Sequence, residues 1–156
     1  MLVGVIADSH DNLPKLRAAV ELLRRCGAEH ILHAGDFVAP FAVKVLVDAG
    51  IPFTGVFGNN DGERTGIARM TPNIHEPPYA FELGGRRIVL THELERVSEA
   101  ARARADVVVF GHTHEAEVEG QSLLLLNPGE VCGWLTEKCT VAVLDLGALE
   151  ATVLEV

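Results

Sequence analysis

Short apolar runs recur along this chain, and in its first third they alternate with stripes of helical period. Residues 3–7, 30–33 and 52–57 are such runs and predict buried strands. Between the first two, Leu16, Ala19, Val20 and Leu23 return every three or four positions, which makes one face of a helix apolar. Asn12 or Asp11 can cap that helix, Pro14 suits its first turn and Gly27 its end. A second helix is predicted over 41–49, closed by Gly50. The order β-α-β-α-β predicts parallel strands with right-handed crossovers.

The second half changes period. Residues 79–83 and 87–91 flank Gly84-Gly85 and predict a hairpin, with Arg86 and Arg87 on its solvated edge. A short Ala-rich helix is predicted over 96–104 and a buried strand over 107–110. Short strands follow at 116–119, 123–126, 140–145 and 151–155, with turns at Gly120, Asn127-Pro128-Gly129 and Gly147. The pattern predicts two sheets, one mostly parallel and one mixed, with helices outside.

At 156 residues and 48% hydrophobic content, one domain over 1–156 can bury its own core. The formal charge is −9, from 22 acidic against 13 basic residues. That balance argues against an extended nucleic acid held by its phosphates, and against an anionic membrane surface. It leaves room for a small phosphate ester, because bound divalent cations reverse the sign locally. The first apolar run stops at Asp8, too early for a signal sequence or a membrane span. Cys26, Cys132 and Cys139 form no C-x-x-C pair and read as reduced packing residues of a cytoplasmic protein.

Polar residues punctuate the runs in one recurrent way. Asp8 and His10, Asp36, Asn59, His92, and His112 and His114 each follow or close an apolar run. In open α/β sheets, ligands bind beyond the carboxyl ends of the strands. Asp8 with His10, and His112 with His114, stand at i and i+2, positions that point the same way in extended chain. The donors are two carboxylates, one amide oxygen and four imidazoles. These are too many for one ion. They suit two ions about 3.5–4 Å apart that share a carboxylate and clamp both oxygens of a phosphoryl displacement. A nitrogen and oxygen set without thiolate points to Mn first, with Fe, Zn or Ni as alternatives, and disfavours Ca and Mg.

Taken in order, D-x-H at 8–10, G-D at 35–36, G-N-x-D at 58–61, T-H at 91–92 and G-H-T-H at 111–114 resemble the calcineurin-like metallophosphoesterase superfamily. Within it, the chain is similar to the small bacterial and archaeal phosphodiesterases of the YfcE type. The resemblance implies a four-layer α/β/β/α sandwich of two mixed sheets flanked by helices. It implies that Asp8, His10 and His114 hold one ion, that Asn59, His92 and His112 hold the other, and that Asp36 bridges them. The implied reaction is hydrolysis of a phosphoester P–O bond by hydroxide activated between the ions, with Asp36, His10 and Asn60 as catalytic residues. A small phosphoester is the implied partner, and the resemblance is compatible with a homo-oligomer, dimer or tetramer.

The chain departs from the family pattern in three places. Asn60 stands where the family's G-N-H-D/E motif has a histidine, and an amide donates a hydrogen bond but transfers no proton. This favours diesters or activated aryl phosphates over alkyl monoesters. Glu93 replaces the glycine of T-H-G, either holding a ligand imidazole, narrowing the pocket or facing solvent. Glu130 replaces the serine of N-P-G-S and is expected at the rim, repelling highly charged phosphates. His30, His33 and His75 read as strand or surface residues, Asp61 as a turn residue or a support behind the ligands rather than a ligand, and Phe37 and Trp134 as packing before pocket lining. Two other functions compete with the enzyme. One is a non-catalytic protein-interaction scaffold, since the retromer scaffold subunit of eukaryotes resembles this fold and lacks the same histidine. The other is a regulatory metal- or nucleotide-binding module. Retention of all seven ligands favours the enzyme.

Overall fold

Strand β1 (Leu2–Ile6) lies so close to helix α1 (Leu13–Arg25) that a Cβ on Gly4 would stand 2.6 Å from Leu23 Cδ1. Alternation along β1 divides its side chains between two cores. Val3 and Val5 face a second sheet, while Ile6 joins Leu16, Ala19, Val20 and Leu23 under the helices. The computed structural model describes residues 1–120 and 122–156. Asn12 caps α1, accepting from Lys15 N at 3.4 Å, and Gly27 follows its end with φ 81°.

The chain continues through β2 (His30–His33), α2 (Pro40–Ala49), β3 (Phe53–Val56), α3 (Arg64–Met70) and β4 (Ile74–His75). The hairpin β5 (Tyr79–Leu83) and β6 (Arg86–Leu90) follows, then a 3₁₀ turn (Leu94–Arg96), α4 (Glu99–Arg102) and β7 (Val107–Val109). The last strands are β8 (Ala116–Glu119), β9 (Leu124–Pro128), β10 (Thr140–Asp145) and β11 (Glu150–Glu155). The first sheet has the order β11-β10-β1-β2-β3-β4, with β1 to β4 parallel and the last two strands antiparallel. The second has the order β5-β6-β7-β9-β8, with β6, β7 and β9 parallel.

Three apolar layers result. Helices α1 and α2 cover Ile6, Ile31 and Phe53; Leu32 and Val56 meet Leu90, Val109 and Leu126 between the sheets; Val97 and Ala105 cover Val89 and Val108 outside the second sheet. The molecule is therefore the four-layer α/β/β/α sandwich with two mixed sheets. Six parallel strands, three per sheet besides β4, end toward loops that carry the polar motifs.

Several expectations change in detail. Helix α3 and strand β4 lack a strong pattern, because α3 buries Ile67 alone and β4 is two residues long. The helix expected over 96–104 divides, since Val97 is extended and the Ser98 hydroxyl restarts the helix by accepting from Ala101 N at 3.2 Å. Arg86 is tethered rather than solvated, donating to the Leu146 and Gly147 carbonyls at 2.8 and 3.0 Å, and Arg87 pairs with Asp106 at 3.0 Å. The cysteines are free thiols, Cys132 and Cys139 buried and Cys26 half-buried. Among the described residues, no helix is long and apolar enough to cross a membrane.

His33 closes β2 as a fully buried ring stacked 3.8 Å from Phe37. Its Nδ1 accepts from Gly35 N at 3.2 Å, so its proton sits on Nε2 and is donated to Ser9 Oγ at 3.0 Å. A second proton has no acceptor there, and burial lowers the pKa from 6.5 to about 3. The unfolded chain protonates this histidine near 6.5 and the fold does not. This group therefore leaves stability undisturbed above that pH and removes up to about 1.4 kcal/mol per pH unit below it, down to the folded value. Urea unfolding across about pH 4 to 6.5 should show a flatter slope in His33→Gln than in the parent protein. An equal slope in both would overturn this reading of the ring.

Candidate metal centre

All seven predicted ligands lie at one end of the sandwich. Asp8 and His10 leave β1, Asp36 leaves β2, Asn59 leaves β3, His92 leaves β6, and His112 and His114 leave β7. The backbone there is contorted. Asp8, His10, Asp36, His112 and His114 have φ of 51°, 39°, 60°, 71° and 63°. Asp and His tolerate this left-handed region better than most residues, and such strain gathers at functional sites. Two glycines give the carboxylates and imidazoles room. A Cβ on Gly58 would fall on the Asp36 carboxylate, and one on Gly35 would stand 2.7 Å from His92 Nδ1.

Asp61 holds these loops together. Its carboxylate accepts from Asp36 N at 3.1 Å, Gly58 N at 2.6 Å and Val38 N at 2.6 Å. Val38 is β-branched with φ 79°, a conformation it keeps only because its surroundings impose it. Burial raises the Asp61 pKa more than these donors lower it.

The donor atoms converge in two halves. His10 Nε2 is 3.7 Å from Asp8 Oδ1 and 3.5 Å from Asp36 Oδ2, and His114 Nε2 is 3.5 Å from Asp8 Oδ1. In the other half, Asn59 Oδ1 lies 2.9 Å from His92 Nε2 and 3.1 Å from His112 Nδ1. Asp36 Oδ2 is 3.3 Å from His92 Nε2, so a single oxygen faces both halves. Asn60 donates to this carboxylate from its backbone N and its amide, each at 2.8 Å.

The donor chemistry of this set fits divalent cations. Asp8 Oδ1 and His10 Nε2 are buried with no hydrogen-bond partner. Ligands about 2.1 Å from one ion stand about 3–3.5 Å from one another, close to the separations found here. The rings are also set the right way round. His92 Nδ1 donates to the Ala34 carbonyl at 2.8 Å, which leaves Nε2 bare toward Asn59 and Asp36. His114 Nδ1 contacts Glu130 Oε2 at 2.6 Å, which leaves its Nε2 toward Asp8. The carboxylates also favour positive charge at the same place. The Asp8 carboxylate, aided by Asp36, raises His10 above its ordinary value, and burial of His92 is outweighed by Asp36, which raises it too. Burial likewise acts upward on Asp36, but His92 and Asn60 hold its carboxyl well below the usual range.

Residues outside the seven predicted ligands also build the site. Asn127 is buried, donating to the Gly111 carbonyl at 3.1 Å and to Thr113 Oγ1 at 3.0 Å, which fixes the loop bearing His112 and His114. Glu130 corrects the rim expectation: it is fully buried behind His114. Burial alone would raise its carboxyl, but hydrogen bonds from Cys132, Thr136 and His114 bring it down to about 2. Cys132 is likewise near the centre, its sulfur within 4.8 Å of ligand atoms of His10 and His114. Burial and Glu130 push this thiol up to about 12, so it stays protonated. Glu93 contacts no ligand imidazole; its carboxylate lies 3.9 Å from Arg96. Phe37 packs in the core and Trp134 faces solvent. The likeness of residues 127–130 to the family's N-P-G-S segment is the sequence signal that puts this loop near the site; nothing local marks Glu130 as inward-facing. A cleft of about 280 Å³, lined by His114, Thr136, Lys138 and Thr140, borders the centre, while a larger one of about 530 Å³ lies away from it between the β5–β6 hairpin and α4.

The description of the calcineurin-like phosphoesterase superfamily domain matches residues 1–148. The chain belongs to that superfamily. This phosphoesterase is 35% identical over 154 residues to phosphodiesterase MJ0936 of Methanocaldococcus jannaschii, with 93% of each chain covered. It is similar to the solved structure of an archaeal phosphodiesterase, with TM-score 0.90, 32% identity and all of both chains covered. YfcE, a phosphoesterase from E. coli, shares the fold with TM-score 0.70 and 24% identity over 94% of this chain and 89% of its own.

Replacing Asp61 with Ala removes the acceptor of three backbone N–H groups at the centre of the phosphoesterase loops. At about 1–3 kcal/mol for each orphaned donor, urea unfolding should report a loss of at least about 3 kcal/mol. A loss below about 1 kcal/mol would mean that the loops do not depend on this carboxylate.

Proposed function

We propose that this phosphoesterase hydrolyses phosphodiesters with two divalent ions. Asp8, His10 and His114 hold one, Asn59, His92 and His112 the other, and Asp36 is shared. The observation that carries this reading is the position of Asp36 Oδ2, 3.5 Å from an imidazole of one half and 3.3 Å from an imidazole of the other. When bound, such ions lower the pKa of a water and draw charge off the phosphoryl oxygens. Mn²⁺ is the first expectation, with Fe, Zn and Ni as alternatives, since the converging atoms are imidazole nitrogens and hard oxygens.

The remaining roles belong to the chain. Asp8 and Asp36 supply negative charge that only a cation or a proton can neutralise locally. His92 and His114 keep their Nδ1 atoms engaged behind the centre, so their inward nitrogens need no reorientation. Asn60 is exposed and its amide reaches Asp36, so it stands at the mouth of the site and can donate to a phosphoryl oxygen. It cannot protonate a leaving alkoxide. Substrates whose leaving group departs without that proton are therefore favoured, which supports diesters with good leaving groups and aryl esters. The net charge of −9 also disfavours dianionic monoesters before they bind. Glu130, being buried, does not stand at the rim that a substrate meets first.

Hydrolysis of bis-p-nitrophenyl phosphate with added Mn²⁺ should be readily measured and should fall at least about 100-fold in Asp36→Asn. An unimpaired variant would remove the shared carboxylate from the mechanism. Tight uptake of two ions without turnover of any ester would support a binding or scaffold role instead. A second expectation concerns position 60. Asn60→His should raise turnover of alkyl phosphomonoesters by about 100-fold, the contribution of a positioned general acid. Unchanged turnover would mean that Asn60 does not limit the substrate range.

A further inference from the structure

The N-P-G turn at 127–129 delivers Glu130 into the interior, where the side chain is 0% exposed and its carboxylate accepts hydrogen bonds on both oxygens. Oε1 accepts from Leu135 N at 3.0 Å, Thr136 N at 2.6 Å and Thr136 Oγ1 at 2.7 Å. Oε2 accepts from Trp134 N at 3.1 Å, Cys132 Sγ at 2.9 Å and His114 Nδ1 at 2.6 Å. No lysine or arginine takes part. Successive backbone N–H groups wrapped on a carboxylate form an anion nest. That loop is built around the carboxylate at some expense, since Trp134 and Leu135 are left 63% and 72% exposed.

We propose that Glu130 is the positioning residue that presets His114 for metal binding. A carboxylate surrounded by donors can only accept, so His114 Nδ1 must carry the proton. The bare lone pair then belongs to Nε2, which points at Asp8 Oδ1 from 3.5 Å. His10 stacks against the same ring, with centroids 5.2 Å apart and planes at 24°, and limits its rotation. The backbone carbonyl of Ala34 does the corresponding task for His92. A carboxylate does it with a full charge and makes the imidazole a stronger donor. The role therefore falls on one of the two ion sites, the one with Asp8 and His10. It rests on the two-ion reading above.

Two measurements on the full chain test it. Long-range ¹H–¹⁵N correlation of the metal-free protein at pH 8 reports each imidazole tautomer. His114 should be the Nδ1–H form in the parent protein and should lose that preference in Glu130→Gln. Calorimetric titration with Mn²⁺ should then show one of the two ions weakened by about 10- to 100-fold and the other unchanged. Thr136→Val is the control, because it removes a bond to Oε1 and loosens the loop without touching His114. It should lower thermal stability while leaving the tautomer and both affinities as they were. An Nε2–H form of His114 in the parent protein overturns the proposal even if every variant fails to fold. So does Glu130→Gln binding both ions as tightly as the parent, or Thr136→Val weakening them as much. A parent chain that takes up no Mn²⁺ overturns the two-ion reading and this one with it, whereas two tight ions in both parent and Glu130→Gln overturn this one alone.

Discussion

Four buried carboxylates at one end of the sandwich set the terms for everything around them. Asp8, Asp36, Asp61 and Glu130 are between 0% and 4% exposed, and among the described residues none pairs with lysine or arginine. A buried charge without compensation costs several kcal/mol. Here compensation comes from backbone N–H groups and imidazoles alone. Asp61 and Glu130 are satisfied almost wholly by the protein's own donors, and they are structural anions. Asp8 keeps one oxygen with no hydrogen-bond partner, and Asp36 Oδ2, although it accepts from the Asn60 amide, also faces imidazole nitrogens at 3.3 and 3.5 Å. The first pair ties the loops together, and the second stands where the imidazoles of the two halves converge.

The loops reach this arrangement because each parallel strand stops at the same level. In β1, β2 and β3 the register aligns Ile6 with His33 and His33 with Gly55, so Asp8, Asp36 and the loop after Phe57 emerge side by side. The second sheet brings β6, β7 and β9 to the same end in the same sense. The strained left-handed residues come directly after these strands, where the sheet fixes one side of the peptide and buried side chains fix the other. Strain of this kind persists only when its surroundings determine it, and neutral, buried His33 together with Ser9 is part of that determination.

Much of this was legible in the sequence. The apolar runs located most strands, because a strand buried on both faces needs nothing but Val, Ile, Leu and Phe. The placement of Asp, Asn and His after five runs pointed to their convergence at one end, because strand ends converge in an α/β sheet. What escaped was of another kind. Helix α3 and strand β4 carry too little apolar surface to announce themselves. Glu130 looked like a surface residue because a glutamate is almost never fully buried without partners, and its partners are N–H groups of residues 134–136 that no side-chain pattern encodes. His33 was hidden as well, because its bonds to Gly35 N and Ser9 Oγ form only once the loops after β1 and β2 meet.

The edges of the two sheets carry a last consequence. Strand β4 is two residues long, while β5, β8 and β11 bear Glu82, Glu117 and Glu119, and Glu150 and Glu155. An open edge with unsatisfied N–H and C=O groups is a template for another chain, and shortness or charge is how it is blunted. The acidity of these strands thus protects the protein from fibre growth, because one copy laid beside another would bring glutamate against glutamate.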